Sequence, residues 1–476
     1  MLPDDALVEI FSFYVNAQIS ESGWYRLVHV CRRWRYVVFS SPHRLNLRLA
    51  YGGSRPLTST PDSWSDLPLA VSRQYSTQYG AHKDYLPNSF WSSNIAAALK
   101  SGHDNRISEI HLYDIPCSHL ETIVPAMQKP FPELTSLIIS AMSNPVVVFP
   151  HSFLGGSAPR LRQLTLQKCS FPGIQKLLLS SKDLVTLLLE RIPNSGYISP
   201  QAMVTSLSMM TRLEFLRLEF GSSQSRLDPA TRPPPPLVRL ILPALTKLEF
   251  QGIPEYLEDL VAQIDTPLLG DFKVTFFLTD PNLEVRQLHR FISRAEKFNQ
   301  FVRATVLIST FKIMLRLPSQ TDEKDDCRDI QRPNLEITCP RGANGQRSSL
   351  AQVCSSSLPL VSALEELDLH HQSLWKEDVR TEWLVLESFI AVKSLYLHGA
   401  AALCVCDALQ ELTGERVTGV LPALQNIFIW TLPRGPTRET VGTFVATRQL
   451  SGHPVAVHIR EGREWKDITQ NLLSKD

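Results

Sequence analysis

Apolar residues follow helical spacing twice near the start of the chain. The first pattern comprises Leu7, Ile10, Phe11 and Tyr14. The second pattern comprises Leu27, Val30, Cys31, Trp34 and Val38. Residues at positions i, i+3, i+4 and i+7 share one face of an α-helix, so the sequence predicts two helices, ending at about Asn16 and about Phe39. We expect residues 1–49 to form a small helical module whose apolar faces are available to a partner.

A different hydrophobic pattern recurs through residues 106–476. An apolar residue is followed by two residues, a second apolar residue, one residue and a third apolar residue. The clearest copy starts at Leu161 and contains Leu164, Leu166, Cys169 and Phe171, which fits the leucine-rich-repeat template. The central apolar residues of the copies are Ile110, Leu137, Leu164, Leu187, Leu216, Leu248, Phe272, Leu367, Leu395 and Ile427. Outside the gap after Phe272, the copies are about 23 to 32 residues apart, which predicts one structural unit per copy.

The recurring pattern predicts how these units stack. Each unit contributes one short parallel strand and a return segment, and neighbouring units share a core. The gap between Phe272 and Leu367 has room for two degenerate units, with 304–308 and 335–337 as candidate strands. The predicted fold class is therefore α/β, with the helical module followed by an irregular leucine-rich-repeat-like solenoid.

The remaining segments divide the chain into domains. Residues 50–105 are irregular in pattern, and we expect a connector that packs partly on the next domain. The solenoid is expected over residues 106–476. Loops are expected within it near residues 221–236, which contain four consecutive prolines, and near residues 318–357.

The residues between the core leucines predict a binding face. Side chains alternate along a strand, so these residues point away from the core and line the concave side of the solenoid. The candidate target-binding residues are Arg162, Thr165, Arg217, Glu249, Asp368 and Tyr396. The expected apolar contributors to the same face are Ile138, Leu188 and Phe428. An equal alternative is that loops cover these positions.

Charge and composition narrow the class of protein. The formal net charge of +1 favours neither nucleic acid nor an anionic membrane as a partner. No apolar run reaches the roughly 18 residues that a membrane-spanning helix needs, and the acidic N-terminus does not resemble a secretory signal. The eight cysteines are scattered, as expected for reduced thiols. We expect an intracellular protein of the cytoplasm, the nucleus or both.

The sequence contains no recognisable catalytic motif. It lacks a Gly-x-Ser-x-Gly elbow, a phosphate-binding loop and a His-Glu-x-x-His metal motif. Cys404 and Cys406 form an isolated Cys-x-Cys without a second cysteine pair, so buried thiols explain them better than zinc ligands. His370 and His371 are expected to be solvated turn residues. We predict a protein with no metal, no cofactor and no enzymatic activity. The open alternative is an enzyme whose active site is built from distant residues.

The order of residue types in the helical module resembles a known family. Residues 2–11 read Leu-Pro-Asp-Asp-Ala-Leu-Val-Glu-Ile-Phe, and residues 27–35 read Leu-Val-His-Val-Cys-Arg-Arg-Trp-Arg. The opening Leu-Pro, the Ile-Phe and the Val-Cys-Arg-x-Trp resemble the F-box. The continuation through residues 39–47 is similar to the version common in mushroom-forming fungi. The family's usual Asp-Leu between the helices is replaced here by residues 24–27, Trp-Tyr-Arg-Leu.

This resemblance implies docking to the Skp-type adaptor of a cullin-RING ubiquitin ligase. In the family, the opening Leu-Pro and the apolar helix faces meet the adaptor. Carried over to this sequence, the adaptor-binding residues are Leu2, Pro3, Leu7, Ile10, Leu27, Val30, Cys31 and Trp34. The alternative is a helical hairpin packed on the domain that follows it.

The two predicted parts together indicate a substrate receptor of a Skp-cullin-F-box type ubiquitin ligase. The module would bind the adaptor and, through it, the cullin, and the solenoid would bind an unknown target protein. Such a subunit is not itself catalytic. A second hypothesis is an adaptor-bound scaffold or regulator that takes no part in ubiquitylation.

Overall fold

The computed structural model divides the chain into two compact units, Met1–Gly221 and Ser222–Asp476. The structure describes residues 2–17, 24–41, 45, 47–53, 57, 67–74, 90–142, 146–221, 238–277, 285–309, 312–318, 333–340, 359–371, 386–399, 401–402, 405, 419–430, 436–462 and 464–473. Within these residues, no helix has the length and apolar character needed to cross a membrane. The Cys404–Cys406 pair and most of the predicted loops near 221–236 and 318–357 lie outside the described residues.

The first unit begins with a helical module of α1 (Asp4–Ala17), α2 (Trp24–Val28) and α3 (Arg32–Ser40). Asp4 and Asp5 lie in the first turn of α1, where the helix dipole favours negative charge. The buried core of the module consists of Leu7, Val8, Phe11, Trp24, Leu27, Val28, Val37, Val38, Leu45, Leu47 and Leu67. The helix predicted from the first apolar pattern is therefore confirmed.

The second predicted helix is two helices in the structure. His29 and Val30 form a turn, and Cys31 is the N-cap of α3 with an extended backbone (φ −158°, ψ 169°). Its Sγ accepts a hydrogen bond from the backbone N–H of Trp34 at 3.4 Å. A cap of this kind satisfies one of the free N–H groups at a helix start, so a new helix begins where the apolar spacing alone predicts a continuous one.

Parallel strands dominate the rest of the first unit. The strands are β1 (Leu49–Tyr51), β2 (Leu69–Gln74), β3 (Ile107–Ile115), β4 (Ser136–Ala141), β5 (Val147–Val148), β6 (Gln163–Gln167), β7 (Cys169–Ser170), β8 (Thr186–Ile192) and β9 (Phe215–Phe220). β5 and β7 pair only with each other among the described strands, and the others form one parallel sheet in chain order. The α-helices between them are α4 (Phe90–Lys100), α5 (Cys117–Ile123), α6 (Ile174–Ser180) and α7 (Pro200–Leu207). Short 3₁₀ helices span Val124–Met127, Phe153–Gly156 and Asn194–Gly196.

The predicted central leucines form the core of this sheet. Ile110, Leu137, Leu164, Leu187 and Leu216 are aligned in register across β3, β4, β6, β8 and β9, and each has zero exposure. One buried residue per strand, aligned from strand to strand, is the arrangement that the hydrophobic pattern predicts.

Part of the predicted connector belongs to the sheet rather than linking to it. β1 pairs with β2, β2 pairs with β3, and α4 buries Trp91 against the unit while Phe90 stays exposed. Gly53 has φ of +73° and lies so close to α4 that a Cβ there would be 2.6 Å from the Trp91 carbonyl oxygen. Only glycine fits this approach, and the hydrophobic spacing gives no sign of it.

The second unit has a larger mixed sheet. Its strands are β10 (Leu240–Ile241), β11 (Lys247–Gly252), β12 (Ile264–Asp265), β13 (Asp271–Phe276), β14 (Arg303–Ile308), β15 (Lys312–Pro318), β16 (Asn334–Pro340), β17 (Glu366–His371), β18 (Ser394–Gly399), β19 (Asn426–Ile429), β20 (Ala456–Glu461) and β21 (Glu464–Asp467). β10 pairs with β12, and the others form a sheet in the order β11-β13-β16-β15-β14-β17-β18-β19-β20-β21. The α-helices are α8 (Pro254–Val261), α9 (Arg286–Arg294), α10 (Pro359–Ser362), α11 (Pro436–Leu450) and α12 (Thr469–Leu473), and a 3₁₀ helix spans Glu296–Gln300.

The middle of this sheet differs from the predicted pair of degenerate parallel units. Both candidate strands exist, as β14 and β16, but β15 runs antiparallel between them. β13 pairs with β16 and β14 pairs with β17, so the order of the strands in the sheet is reversed over this hairpin insertion. β15 alternates buried Ile313, Leu315 and Leu317 with the less buried Lys312, Met314 and Arg316. That is the period of a strand, but it lacks the leucine spacing that marks the parallel units.

Candidate interaction surfaces

The helical module exposes several large apolar side chains. Leu2 is 54% exposed, Ile10 49%, Phe13 75% and Val30 58%. Pro3 and Cys31 are also exposed. Scattered apolar residues on a surface are ordinary, but four large ones exposed on so small a module make it a candidate for contact with a partner. We call Leu2, Ile10, Phe13 and Val30 the exposed apolar set.

The other predicted adaptor-binding residues lie deeper in the module. Leu7 and Leu27 are only 4% and 5% exposed, so in this conformation they pack inside the module. Trp34 is half-buried, and its ring centroid lies 4.7 Å from that of Phe11. Leu7 and Leu27 belong to the module core and Trp34 packs against it, and an adaptor contact by any of the eight residues stays a prediction. Phe13 was missed because it falls outside the core spacing; its place three residues after Ile10 is the signal that finds it.

An ion pair and a buried indole hold this surface in place. Arg33 on α3 bonds the Asp4 carboxylate at 2.7 Å and also donates to the Leu2 carbonyl, so the start of the chain is tied to α3. Trp24 is 1% exposed and donates its indole N–H to the Arg48 carbonyl at 2.9 Å. Trp24 lies in the segment that departs from the F-box pattern, and the structure uses it as a core residue.

Comparison with known families supports the sequence resemblance. Residues 1–45 match the F-box-like family. This match spans α1, α2 and α3 and includes all four residues of the exposed apolar set, with Ile10 and Phe13 on α1, Leu2 before it and Val30 in the turn before α3. A search of curated proteins returned no match to the chain. F-box domains generally bind Skp1-type adaptors, and F-box proteins are generally non-catalytic subunits of ubiquitin ligases.

Outside the F-box-like module, the exposed face of the first sheet is largely polar. The His111 Nε2 lies 2.8 Å from the Ser136 Oγ, which donates to Gln163 at 3.2 Å. Arg217, one of the predicted target-binding residues, bonds Glu190 at 2.5 Å. Burial, with a smaller effect of the nearby Arg48 charge, lowers the pKa of His111 and favours its neutral form. The side chains on this face largely satisfy one another.

Of the residues predicted for this face, four are aligned on neighbouring strands and Arg162 is not. Ile138, Thr165, Leu188 and Arg217 are aligned in register across β4, β6, β8 and β9. Ile138 is only 8% exposed, and Leu188 is half-buried. Arg162 precedes β6 and is exposed, with its backbone N–H bonded to the Thr135 carbonyl, so it does not join this row. The other four predicted residues are aligned on neighbouring strands, and their role in binding stays a prediction.

Charged residues occupy the start of the corresponding face in the second sheet. Glu249, a predicted target-binding residue, lies 3.0 Å from the Lys247 Nζ and 3.9 Å from the Lys273 Nζ. Lys247 also lies 3.4 Å from Asp271. Burial lowers the pKa of Lys247, but Glu249 and Asp271 raise it more, so the lysine stays charged. This network pairs both signs and leaves the local surface close to neutral.

Stacked rings cover the same face farther along the second sheet. Tyr396 stacks on Phe428 with centroids 4.7 Å apart, and Phe428 stacks on His458 at 4.8 Å. A second stack runs from His370 to His398 at 3.9 Å and on to Trp430 at 4.7 Å. We call these six side chains the aromatic ladder. Strand register creates it, because Tyr396 pairs with Phe428 and Phe428 pairs with His458 across β18, β19 and β20.

Arginines and one more tryptophan enclose the aromatic ladder. The Arg303 guanidinium lies 5.0 Å from the Tyr396 ring centroid, and that of Arg460 lies 3.7 Å from the Trp430 centroid. Trp465 on β21 is perpendicular to Phe428 and Trp430 within about 20°, with centroids 5.1 and 5.9 Å away. Aromatic edges carry partial positive charge and ring faces partial negative charge, so both contacts are attractive.

Asp368 anchors the end of the ladder nearest β14. Its side chain is 7% exposed, and its Oδ2 accepts a hydrogen bond from the Arg303 Nε at 2.5 Å. His398 approaches its Oδ1 at 3.7 Å. Burial raises the pKa of Asp368, but the contacts with His398 and Arg303 together lower it by more than burial raises it. The net pKa therefore lies below the ordinary value. The carboxylate is therefore ionised and fixes the position of Arg303 over Tyr396.

The two consecutive histidines are strand residues, so their prediction as solvated turn residues is wrong. His370 stacks within the ladder and is half-buried, and His371 is 7% exposed at the end of β17. Burial, together with the charges of His398 and Arg303, lowers the pKa of His370 although Asp368 opposes them. The prediction failed because the strand continues two residues beyond Leu369, where it pairs with β18.

Sequence reasoning found only three residues of this site. Asp368, Tyr396 and Phe428 were predicted from strand alternation, whereas His398, Trp430, Arg303 and Trp465 were missed. His398 and Trp430 lie two residues beyond Tyr396 and Phe428, so carrying the same alternation one step farther along each strand would find them. Trp465 follows a turn and carries no repeat signal. Among the described residues, no group of three or more His, Cys, Asp or Glu side chains is placed to hold a metal ion.

Proposed function

We propose that the protein is a substrate-receptor subunit of a Skp-cullin-F-box type ubiquitin ligase. The F-box-like module would dock on a Skp-type adaptor, and the exposed face of the repeat domain would hold a target protein. The chain would contribute proximity rather than chemistry, because tethering raises the effective concentration of target lysines near the conjugating enzyme. No residue of this chain needs to take part in ubiquitin transfer.

The observation that carries the proposal is the coincidence of the family match with the exposed apolar set. Residues 1–45 match the F-box-like family, and the same segment leaves Leu2, Ile10, Phe13 and Val30 about half or more exposed. Burial of apolar surface drives most protein association. A partner that buries these side chains is the simplest explanation for a fold that leaves them exposed to water.

We also propose that the remainder of the chain is an irregular leucine-rich-repeat-like solenoid. The support is a recurring backbone feature as well as the recurring leucines. Asp114, Lys168 and Arg191 have φ of +51°, +55° and +51°, and each lies four residues after the central apolar residue of its unit. Non-glycine residues rarely adopt this conformation, so its recurrence at one position favours a repeated unit. The β14 to β16 hairpin insertion would interrupt the solenoid once.

The aromatic ladder supports the target-binding half of the proposal. Trp, Tyr and Arg are the residues most often responsible for binding energy at protein interfaces. Trp430 is 37% exposed, and Arg460 and Arg303 flank the stacks. Side chains already held in one conformation lose less entropy when a partner binds. We therefore place the main target contact on the ladder rather than on the polar face of the first sheet.

A reconstitution experiment tests the proposed function. The full chain would be mixed with purified Skp-type adaptor and cullin and captured by a tag. A variant carrying Leu2→Asp, Ile10→Asp and Val30→Asp places charge in the exposed apolar set. The control is Leu450→Asp, the same type of substitution at a leucine that is 90% exposed in the second unit.

The expected outcome is capture of adaptor and cullin by the wild-type chain and the control but not by the triple variant. Failure of the wild-type chain to capture the adaptor would contradict the proposal. Equal capture by all three chains would reject the exposed apolar set as the docking surface. Capture without ubiquitylation of any bound protein would favour the scaffold hypothesis instead.

A further inference from the structure

The carboxyl ends of β17 to β20 place one row of side chains on the ladder side of the second sheet. His370 pairs with His398, and the Trp430 ring lies 4.7 Å from that of His398. The parallel register of β19 and β20 places Arg460 beside Trp430, and Arg460 pairs with Trp465 across the hairpin of β20 and β21. We call these five residues the end row. Its side chains are aromatic or basic, and none of them is a carboxylate.

The carboxylates nearest the end row already have other partners. Asp368 accepts a hydrogen bond from Arg303 at 2.5 Å. Asp467 accepts hydrogen bonds from the hydroxyl and the backbone N–H of the first residue of α12, at 2.6 and 2.8 Å. Glu461 lies 3.5 Å from the Lys466 Nζ. These acids are therefore committed to contacts outside the end row or at its edge.

Arg460 is left with hydrogen-bonding capacity that the fold does not use. Its guanidinium lies 3.7 Å from the Trp430 ring centroid, and its Nε donates to the Gly462 carbonyl at 3.4 Å. Within the part of the chain that the structure describes, its Nη groups have no hydrogen-bond acceptor, and no carboxylate lies within 4 Å of it. A planar guanidinium with free N–H groups binds a carboxylate through two parallel hydrogen bonds.

The charge around this guanidinium favours an anion of single charge. Arg303 faces two carboxylates, Asp368 and Glu366, so a proton on the nearby His398 would only cancel the excess of negative charge. Burial, with the charges of His398 and Arg303, lowers the pKa of His370 and favours its neutral form. A phosphoryl group carries a charge of about −1.5 to −2 at pH 7 and is usually bound by a cluster of arginines. One uncompensated guanidinium matches one carboxylate better.

Two indoles beside Arg460 add an apolar part to the site. Trp430 is 37% exposed and Trp465 is half-buried. Their ring planes are 87° apart and their centroids 5.9 Å apart, so they form a corner that an apolar side chain can contact on two sides. The contact with Trp430 also holds the guanidinium in place, so little conformational freedom is lost when a ligand binds.

We propose that the end row binds an Asp or Glu side chain of the target protein through Arg460, with an apolar neighbour of that acid in the corner of Trp430 and Trp465. The inference rests on the proposed function, since it takes the aromatic ladder as the main target contact. It adds the chemistry of the recognised segment, which is an acidic residue beside an aliphatic or aromatic one.

Selection of short random peptides displayed on phage against the full chain tests this proposal, with Arg460→Gln as the counter-selected variant. The peptide enriched most is then synthesised in three forms, with its acidic residue kept, changed to the corresponding amide or changed to phosphoserine. Fluorescence polarisation measures the affinity of each form for each chain. Arg316→Gln is the matched control, because it removes the same charge from an exposed arginine of β15 in the same sheet.

Peptides enriched on the wild-type chain should contain Asp or Glu next to an aliphatic or aromatic residue. The amide form should bind the wild-type chain at least about tenfold more weakly, and Arg460→Gln should weaken binding of the acidic form by a similar factor. The two changes together should weaken binding little more than either alone, because they remove the same contact. Arg316→Gln should bind the acidic form within about twofold of the wild-type chain. Circular dichroism should show that both variants are folded.

Three outcomes would overturn the acidic-segment site. These are a selection without enrichment of acidic residues, equal binding of the acidic and amide forms by the wild-type chain, and a loss in Arg316→Gln as large as that in Arg460→Gln. Tighter binding of the phosphoserine form through Arg460 would also overturn it, because the site would then be specific for a phosphorylated segment.

The proposed function fails separately from this inference. A wild-type chain that binds the acidic peptide but captures no Skp-type adaptor would contradict the receptor role and leave the acidic-segment site standing. A chain that captures adaptor and cullin but shows no preference for the acidic peptide would leave the receptor role standing and overturn the site.

Discussion

The exposed apolar set and the aromatic ladder both present apolar groups to solvent, but they do so in opposite ways. Phe13 in the module is 75% exposed, and Leu2 and Val30 are more than half exposed. In the ladder, ring faces are covered by other rings and by arginine, and Trp430 is 37% exposed. One surface holds side chains that the fold scarcely needs, whereas the other holds side chains that stabilise one another.

The two surfaces therefore respond differently to substitution. Substitutions in the exposed apolar set should change binding without changing stability. Substitutions in the ladder should change stability as well, so a loss of binding there has meaning only beside a stability measurement. A partner of the ladder meets a pre-ordered surface, whereas a partner of the module must order side chains that are free in the unbound chain.

The largest expected contrast is between two phenylalanines. Phe428→Ala should lower the free energy of opening of β19 by about 2 to 3 kcal/mol, because it removes stacking with Tyr396, His458 and Trp465. Phe13→Ala should change the stability of the module by less than about 0.5 kcal/mol. Hydrogen exchange of the strand and helix amides measures both. Similar values for the two variants would show that the ladder does not stabilise itself.

Two ion pairs provide the next contrast. Asp368→Ala should cost about 2 kcal/mol, because it removes the closer and more buried of the two carboxylates that pair with the partly buried Arg303 and leaves it only Glu366 at 3.7 Å. Asp4→Ala should cost less than about 0.5 kcal/mol, because its pair with Arg33 is largely exposed. Thermal unfolding of the two variants, monitored by hydrogen exchange in each unit, compares their losses of stability. A larger loss from Asp4→Ala would reverse our ranking of the two surfaces.

Removal of an arginine that flanks the aromatic ladder should have a smaller effect on stability. Arg460→Ala should cost about 0.5 to 1 kcal/mol, because the guanidinium lies 3.7 Å from the Trp430 centroid. Arg460→Lys should retain part of this stabilisation. Hydrogen exchange of the β19 and β20 amides in increasing urea reports the change, with Arg26→Ala as a control that should leave these amides unaffected. Unchanged exchange in Arg460→Ala would mean that the contact contributes nothing.

The smallest expected effect depends on pH. The lowered pKa of His370 means that the fold favours its neutral form, so this stabilisation is present above the ordinary value of 6.5 and is lost as the pH falls from there through the lowered value. His370→Asn should flatten the stability profile of the second unit below pH 6.5. Asp368 acts in the same sense at lower pH, with its stabilisation lost below about 3.8. An unchanged profile in His370→Asn would contradict this account.

Local spacing predicts much of the fold because it records which residues are buried. The apolar spacing around Phe11 predicted α1, and the repeated leucines around Leu164 predicted aligned parallel strands with a shared core. Where a polar contact decides the outcome, spacing fails. Cys31 caps a new helix through its sulfur, and Trp24 fills the module core from a segment that departs from the F-box pattern.

The aromatic ladder could be predicted only in part because it depends on register between distant strands. Strand alternation places Tyr396 and Phe428 on the exposed face, yet their contact exists only because β18 and β19 pair as they do. Trp465 reaches Phe428 from an antiparallel strand that has no repeat pattern. The reversal of strand order at β15 has the same origin, since no local signal says which strands become neighbours.

Hydroxyl-radical footprinting of the full chain with and without purified Skp-type adaptor determines which surface the adaptor covers, because it reads the solvent exposure of individual side chains. We predict that the adaptor protects Phe13, Ile10 and Leu2 from labelling and leaves Trp430 and Trp465 as reactive as before. Protection of the two tryptophans, with the module still fully labelled, would contradict the assignment of adaptor docking to the exposed apolar set.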